Sequence, residues 1–169
     1  MARTSLQDVA GLRDPAQTWN FDLFFDRLPS GVSGNLRDLT FRVKTTQFPG
    51  ANLDAVEVEL HGVKLVFAGR ATYDHEFTVT FYEGVDWSVR NAFYSWRELM
   101  RSWRNNSGST SDLYKSSCTL SLYDDFPNES KTIKLAGVWP KTIDSVDLDG
   151  GESAAVMMSV TFSFDYIEE

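Results

Sequence analysis

Few side chains in this 169-residue sequence are spaced to do chemistry. His75 stands between Asp74 and Glu76, so one imidazole has two carboxylates as neighbours. A metal or a general base needs its partners to converge on one point, whereas neighbours in an extended strand point to opposite faces. A surface histidine is the expectation. Asp147 and Asp149 come just before Gly150-Gly151, as acids do in a calcium loop, but the rest of the ligand series does not follow. Turn formation is the expected role. Cys118, the single cysteine, has no second thiol to form an internal disulfide and no ligand spacing around it, which fits a reducing cytoplasm. No G-x-S-x-G, H-E-x-x-H, P-loop or dinucleotide fingerprint occurs. The expectation is a protein with no catalytic residue, no metal and no cofactor, working through shape and charge.

The remaining charged feature is a row of arginines, Arg90, Arg97 and Arg101 with Arg104 beyond them. Arginines four apart on a helix, such as Arg97 and Arg101, repel by roughly 0.2–0.5 kcal/mol unless something meets them. The row is either a solvated face or a contact for an acidic partner. The net charge of -8 argues against a general phosphate binder, which needs clustered Lys and Arg.

The elements that must carry these residues are mostly strands. Val156, Met158, Val160, Phe162, Phe164 and Tyr166 alternate with Met157, Ser159, Thr161, Ser163 and Asp165, the period of a strand with one buried and one wet face. Ile133, Leu135, Gly137 and Trp139 share one side of a preceding strand. Pro140 brings no N–H to the ladder, so pairing is expected to stop or bulge there. With a turn over residues 147–152, the C-terminus reads as a long antiparallel hairpin.

Further upstream, Trp19, Phe21, Leu23 and Phe25 alternate as a first strand. Leu39, Phe41, Val43 and Thr45 alternate as a second, expected to pair with the first. Between Gly50 and Ala71, Val56, Val58 and Leu60 alternate, His61-Gly62 turns, and Val63, Leu65 and Phe67 alternate again, which predicts a projecting hairpin. Phe77, Val79 and Phe81 mark another strand. Asp86 is the expected cap of a helix running to about Arg104, with Val89, Phe93, Trp96, Met100 and Trp103 as its core stripe. Residues 105–111 read as a flexible loop, and Tyr114 to Asp124 as a strand with Cys118, Leu120 and Leu122 on one side.

Residues 1–18 are aperiodic and read as an N-terminal arm, with at most a short helix between Ser5 and Leu12; residues 19–169 read as one domain. An aromatic share of 14%, held mostly in the alternating segments, favours a β-rich core. No apolar run approaches the ~20 residues that span a bilayer, and the first twelve residues lack the apolar stretch of a signal peptide.

The run Ile133-Lys134-Leu135-Ala136-Gly137-Val138-Trp139-Pro140, followed by a last strand ending Phe164-Asp165-Tyr166-Ile167-Glu168, resembles the C-terminus of the tail tube proteins of contractile-tailed bacteriophages. Further matches run in order: Phe41 to Thr46 leading to Phe48-Pro49-Gly50, Gly69-Arg70 and Thr72 before the Phe77 strand, an amphipathic helix, then Tyr114-Lys115-Ser116. The resemblance covers about Trp19 to Glu169. It implies a small antiparallel β-sandwich or barrel with one flanking helix and a long projecting hairpin. It also implies hexameric rings stacked into a hollow tube inside a contractile sheath, built in the bacterial cytoplasm and carried in the virion tail. In such tubes each subunit gives four strands to a barrel of twenty-four, roughly 45–50 Å across between backbones for strands ~4.8 Å apart tilted by ~40°. That width passes DNA.

Within that resemblance, Ser159, Thr161, Ser163 and Asp165 are candidate lumen residues, and Val56, Val58, Val63 and Leu65 candidate ring-stacking residues. Arg90, Arg97 and Arg101 are candidate exterior residues facing the sheath. The implied partners are further copies of the chain, the tail sheath protein, the tape measure protein and DNA in the lumen, and the baseplate and tail terminator proteins; no membrane insertion is expected. A baseplate-proximal tube protein, or the tube of a DNA-free injection particle, fits the same residues. A β-sandwich binding module using Trp19 or Trp87 is the reading from another class.

Overall fold

A computed structural model describes residues 16–72, 74–124, 129–151 and 153–168. The arm and its short helix between Ser5 and Leu12 therefore lie almost wholly outside the described residues. In chain order the elements are β1 (Phe21–Phe25), α1 (Leu36–Phe41), β2 (Val43–Thr46), β3 (Asn52–Leu60), β4 (Val63–Thr72), β5 (Glu76–Tyr82) and α2 (Ser88–Met100). They continue with α3 (Ser111–Tyr114), β6 (Ser116–Tyr123), β7 (Glu129–Ile143), β8 (Met157–Ser163) and β9 (Tyr166–Glu168). The architecture is mainly antiparallel β, as expected.

Seven strands form one sheet in the order β1-β6-β7-β8-β5-β2, with β9 also paired to β7. The long β7 joins its two halves. Its first part pairs with β6, with Leu135 opposite Cys118, and its last part pairs with β8, with Trp139 opposite Ser163. The sheet turns at Gly137, which has φ +71 and sits where the β6–β7 register slips. A residue in this left-handed region at a one-residue slip makes a bulge that bends and twists the strand.

That bulge corrects the expected side of β7. Ile133 and Leu135 are buried, but past Gly137 the phase changes and Val138 and Pro140 point inward, while Trp139 is only half-buried. Trp139 instead meets Tyr114 edge-on at 6.4 Å. Pairing does slip between Pro140 and Thr142, at the proline expected to stop or bulge it.

The core lies between the two halves of the sheet and α2. Phe93 on the helix packs 5.1 Å from Phe81 and 5.5 Å from Phe162, and Phe162 lies 5.3 Å from Phe77 and 5.4 Å from Phe25. Each buried aromatic contributes roughly 1.5–3 kcal/mol by leaving water. Trp96 is wholly buried, and its indole N–H donates to the Tyr114 carbonyl at 2.8 Å, so this polar atom costs nothing on burial.

Several expected elements differ. The alternation of Leu39 to Thr45 is not one strand: Leu36–Phe41 is a helix, with the Asn35 side chain accepting from the Arg37 N–H at 3.0 Å. Asn at the N-cap and a single buried face through Leu39 outweigh four alternating residues. Phe41 is left 73% exposed under the Arg37 guanidinium. β2 pairs with β5, and β1 pairs with β6, so the two are not partners but the opposite ends of the sheet.

The helix α2 stops at Met100, and Trp103 is exposed rather than part of the stripe. Residues 101–109 instead fold back as a small hydrogen-bonded turn: Arg101 bridges Gly108, Ser102 N–H donates to the Ser107 carbonyl at 2.8 Å, and Ser109 N–H to the Met100 carbonyl at 3.2 Å. Those bonds replace the expected floppy loop. Tyr114 belongs to the short helix α3, and the strand after it starts at Ser116. At the C-terminus, β8 ends at Ser163 and β9 begins at Tyr166, which is exposed.

Candidate assembly surfaces

The projecting hairpin is the clearest functional feature. His61 and Gly62 both take positive φ, 52° and 79°, the requirement of the tight two-residue turn whose twist suits paired strands. In the resulting register Val56 faces Phe67, Val58 faces Leu65 and Leu60 faces Val63. Three cross-strand pairs on one face are thus wholly apolar. The opposite face carries Glu57, Glu59 and Lys64, with Lys64 Nζ 2.7 Å from Glu57.

All four residues expected to stack rings, Val56, Val58, Val63 and Leu65, share that apolar face, and Leu60 and Phe67 extend it. Val63 is 59% exposed and Phe67 54%. Among the described residues β3 and β4 pair only with each other. A two-stranded ribbon with a bare apolar face is marginal alone, and apolar patches of this kind mark association surfaces.

On the outer face of β8, Ser159, Thr161 and Ser163 are half-buried and come together as expected. Ser159 Oγ lies 3.1 Å from Thr80 Oγ1, and Thr161 Oγ1 lies 3.1 Å from Thr78 Oγ1. Thr142 of β7 faces Thr161, and Thr45 of β2 faces Thr80, so a lattice of small hydroxyls spans four strands. Glu76, opposite Ser163, is paired to Lys141. The structure does not bring Asp165 to this lattice. Its strand breaks after Ser163, and both carboxylate oxygens accept from Lys115 Nζ, at 2.8 and 2.7 Å.

The arginines split between two elements. Arg90 and Arg97 are exposed on α2, with the Arg90 guanidinium 4.2 Å over the Tyr94 ring. Arg101 follows the helix, and its Nη1 donates to the Asn106 carbonyl at 3.2 Å. Among the described residues none of the three forms an ion pair.

The expected cap of α2 is replaced. Asp86 pairs loosely with Arg42 at 3.7 Å, and the free N–H groups of the helix go to Glu83, whose carboxylate accepts from Val89 at 3.2 Å and Arg90 at 2.8 Å. Glu83 lies outside the helix, so spacing rules for capping residues do not find it. The chain gets there through Trp87 at φ 54, in the left-handed region.

His75 has Nδ1 3.2 Å from the Phe164 carbonyl and packs on the Phe164 ring. Asp149 Oδ1 accepts from the Gly151 N–H at 2.8 Å, which is turn chemistry. Among the described residues no group of three or more His, Cys, Asp or Glu could hold a metal, and no helix is long and apolar enough to cross a membrane. Burial, with the Asp26 charge adding to it, pushes the Cys118 thiol well above its ordinary pKa. Trp19 leads into β1 while Trp87 immediately precedes α2, on separate elements.

The family model described as phage tail tube protein matches residues 20–168, nearly the whole chain. The chain belongs to the phage tail tube protein family. Tail tube protein gp19 of Enterobacteria phage T4 is 27% identical over 135 residues, covering 78% of this chain and 82% of the relative. The tail tube protein of Serratia phage KSP90 is 28% identical, covering 78% and 73%. Among solved structures, a chain from the extended sheath-tube complex of the PVC extracellular contractile injection system aligns over 98% of this chain and 97% of its own, with TM-score 0.63 at 15% identity. That likeness is one of fold. The protein is a structural subunit of a tail tube.

Proposed function

We propose that this tube subunit assembles into six-membered rings that stack into a hollow tube conducting DNA during ejection. The observation that carries the proposal is the hairpin: three apolar cross-strand pairs stand exposed on one side of a ribbon that, among the described residues, pairs with no other strand. A face of this kind needs a second surface, and a neighbouring ring supplies it. β1 and β2, the two ends of the sheet, leave strand edges open, and closing them across neighbours turns an aggregation liability into a continuous barrel.

In the assembled tail the tape measure protein and then DNA occupy the lumen, the sheath protein surrounds the tube, and the baseplate and terminator proteins meet its two ends. Assembly takes place in the host bacterial cytoplasm. Replacing residues 51–71 with a short Gly-Ser linker tests the reading. The expected outcome is a folded protein by circular dichroism that forms no stacked tubes in electron micrographs. Tubes of normal length from this variant would overturn the role of the hairpin.

A further inference from the structure

An acidic loop and an arginine-lined cleft both border α2. Beside its N-terminal turns runs the loop that leaves β7. Asp144, Val146 and Leu148 of this loop line a hollow together with Trp87 and Arg90. Asp144, Asp147 and Asp149 bring three carboxylates with no cation between them, none forms an ion pair among the described residues, and Leu148 is 73% exposed. Asp149 holds the turn in place through Gly151.

Beside the C-terminal end of α2 lies a cleft of about 930 Å³, lined by Arg97 and Arg101 with the rings of Tyr94, Trp103 and Trp139. The hydrogen-bonded turn over residues 101–109 forms one wall and keeps Trp103 outward. Arg97 and Arg101 have no carboxylate partner in their own chain among the described residues. The two hollows adjoin, with Tyr94 lining both and the chain passing from Ile143 of the cleft to Asp144 of the loop, yet among the described residues no carboxylate of the loop pairs with Arg97 or Arg101 of its own chain.

We infer that the Asp147-Leu148-Asp149 tip of one copy seats in the Arg97–Arg101 cleft of the next copy. Two guanidiniums meet two carboxylates, a charge-assisted arrangement, and Leu148 goes between the aromatic walls. Donor and acceptor are two different surfaces of the same chain, so the contact is head-to-tail, the kind that closes rings or extends stacks. The inference rests on the self-assembly proposed above and names a contact separate from the hairpin.

Two charge swaps test it. Asp147→Arg with Asp149→Arg makes both surfaces basic, and Arg97→Glu with Arg101→Glu makes both acidic. Each variant alone is expected to need at least roughly tenfold more protein than wild type to assemble, as measured by sedimentation. Mixed in equal amounts, the two are expected to assemble like wild type, because every loop then finds a cleft of opposite charge in an alternating array. Rescue on mixing also shows that both variants are folded.

Should a double swap unfold, the single swaps Asp147→Arg and Arg97→Glu carry the same mixing test. Variants that assemble alone as readily as wild type would overturn this contact and leave the ring reading standing on the wild-type control. Folded variants that are impaired alone and unrescued on mixing would also overturn it, since these charges then act through a surface other than the loop and cleft pair. A wild-type chain that never assembles would overturn the ring reading and this contact with it.

Discussion

Asp165 lies directly over Gly137: a Cβ built on that glycine would meet Asp165 Oδ2 at 2.0 Å. The two face each other across the β7–β9 ladder, since Ala136 pairs with Tyr166 and Trp139 with Ser163, and the Asp165 N–H donates to the Ala136 carbonyl at 2.8 Å. Lys115 then holds the carboxylate in place. The glycine is required twice, by its φ of +71 and by the oxygen above it. Gly137→Ala is expected to cost about 2–4 kcal/mol in urea unfolding, from left-handed strain plus eviction of the carboxylate. In an Asp165→Ala background the same change should cost about 1 kcal/mol less, because the carboxylate is gone and only the backbone strain and the tight contact with the remaining Cβ at 3.0 Å are left. Equal costs in the two backgrounds would refute the contact.

This pair also shows where sequence reasoning stops. Period two located β5, β8 and the hairpin because those strands have one buried face and obey a single phase. In β7 the phase changes at Gly137, and no alternation rule reports a bulge at a glycine that faces a side chain 28 residues away in sequence. The same holds for α2. Its apolar stripe was legible through Val89, Phe93 and Trp96, but its cap is Glu83, a residue placed by tertiary geometry. Leu36–Phe41 misled because six residues hold too little of a helical period to compete with four alternating ones. Of the surface candidates, Ser159, Thr161 and Ser163 cluster as their strand pattern demanded, and Asp165 leaves them because the strand breaks first.

The Glu83 cap makes its own expectation. One carboxylate accepts from two N–H groups at the positive end of the α2 dipole. Glu83→Ala should cost roughly 1–2 kcal/mol, in the range for lost helix caps, whereas Asp86→Ala should change stability by less than about 0.5 kcal/mol. Thermal melts of the two variants decide between them, and the reverse order would restore Asp86 as the cap.

Cys118 supplies a pH signature. Its thiol is neutral and buried, with a pKa raised above that of the unfolded chain, so below about pH 8.5 both states keep the proton and stability is unaffected. As pH rises past that value the unfolded state loses its proton and the folded state does not. Stability then falls by up to about 1.4 kcal/mol per pH unit. Between about pH 9 and 10.5 wild type should lose stability relative to Cys118→Ala, as read by urea midpoints, and the native thiol should resist alkylation. Parallel pH profiles for the two proteins would mean that the thiol is not shielded.

The hydroxyl lattice on β8 bears on what the tube conducts. Met158, Val160 and Phe162 fill the core, so Ser159, Thr161 and Ser163 are turned to the other side of the sheet, where Thr78 and Thr80 extend them. Small hydroxyls give no ring for a base to stack on and no cation for a phosphate, and Glu76 and Lys141 neutralise each other at the border. If this face lines the channel, DNA slides past it without being gripped. Ser159→Arg with Ser163→Arg should then give intact tubes that retain nucleic acid, and salt should release it, because each arginine–phosphate contact displaces counterions. Release would be followed by absorbance of pelleted tubes at rising salt. An arginine-directed reagent too bulky to enter the channel provides the second reading. It should modify the new arginines far more slowly in tubes than in unassembled subunits. Tubes that ignore DNA while their new arginines react as fast as in unassembled subunits would place the lattice on the outside and leave the opposite half of the sheet, β1 and β6, to line the channel.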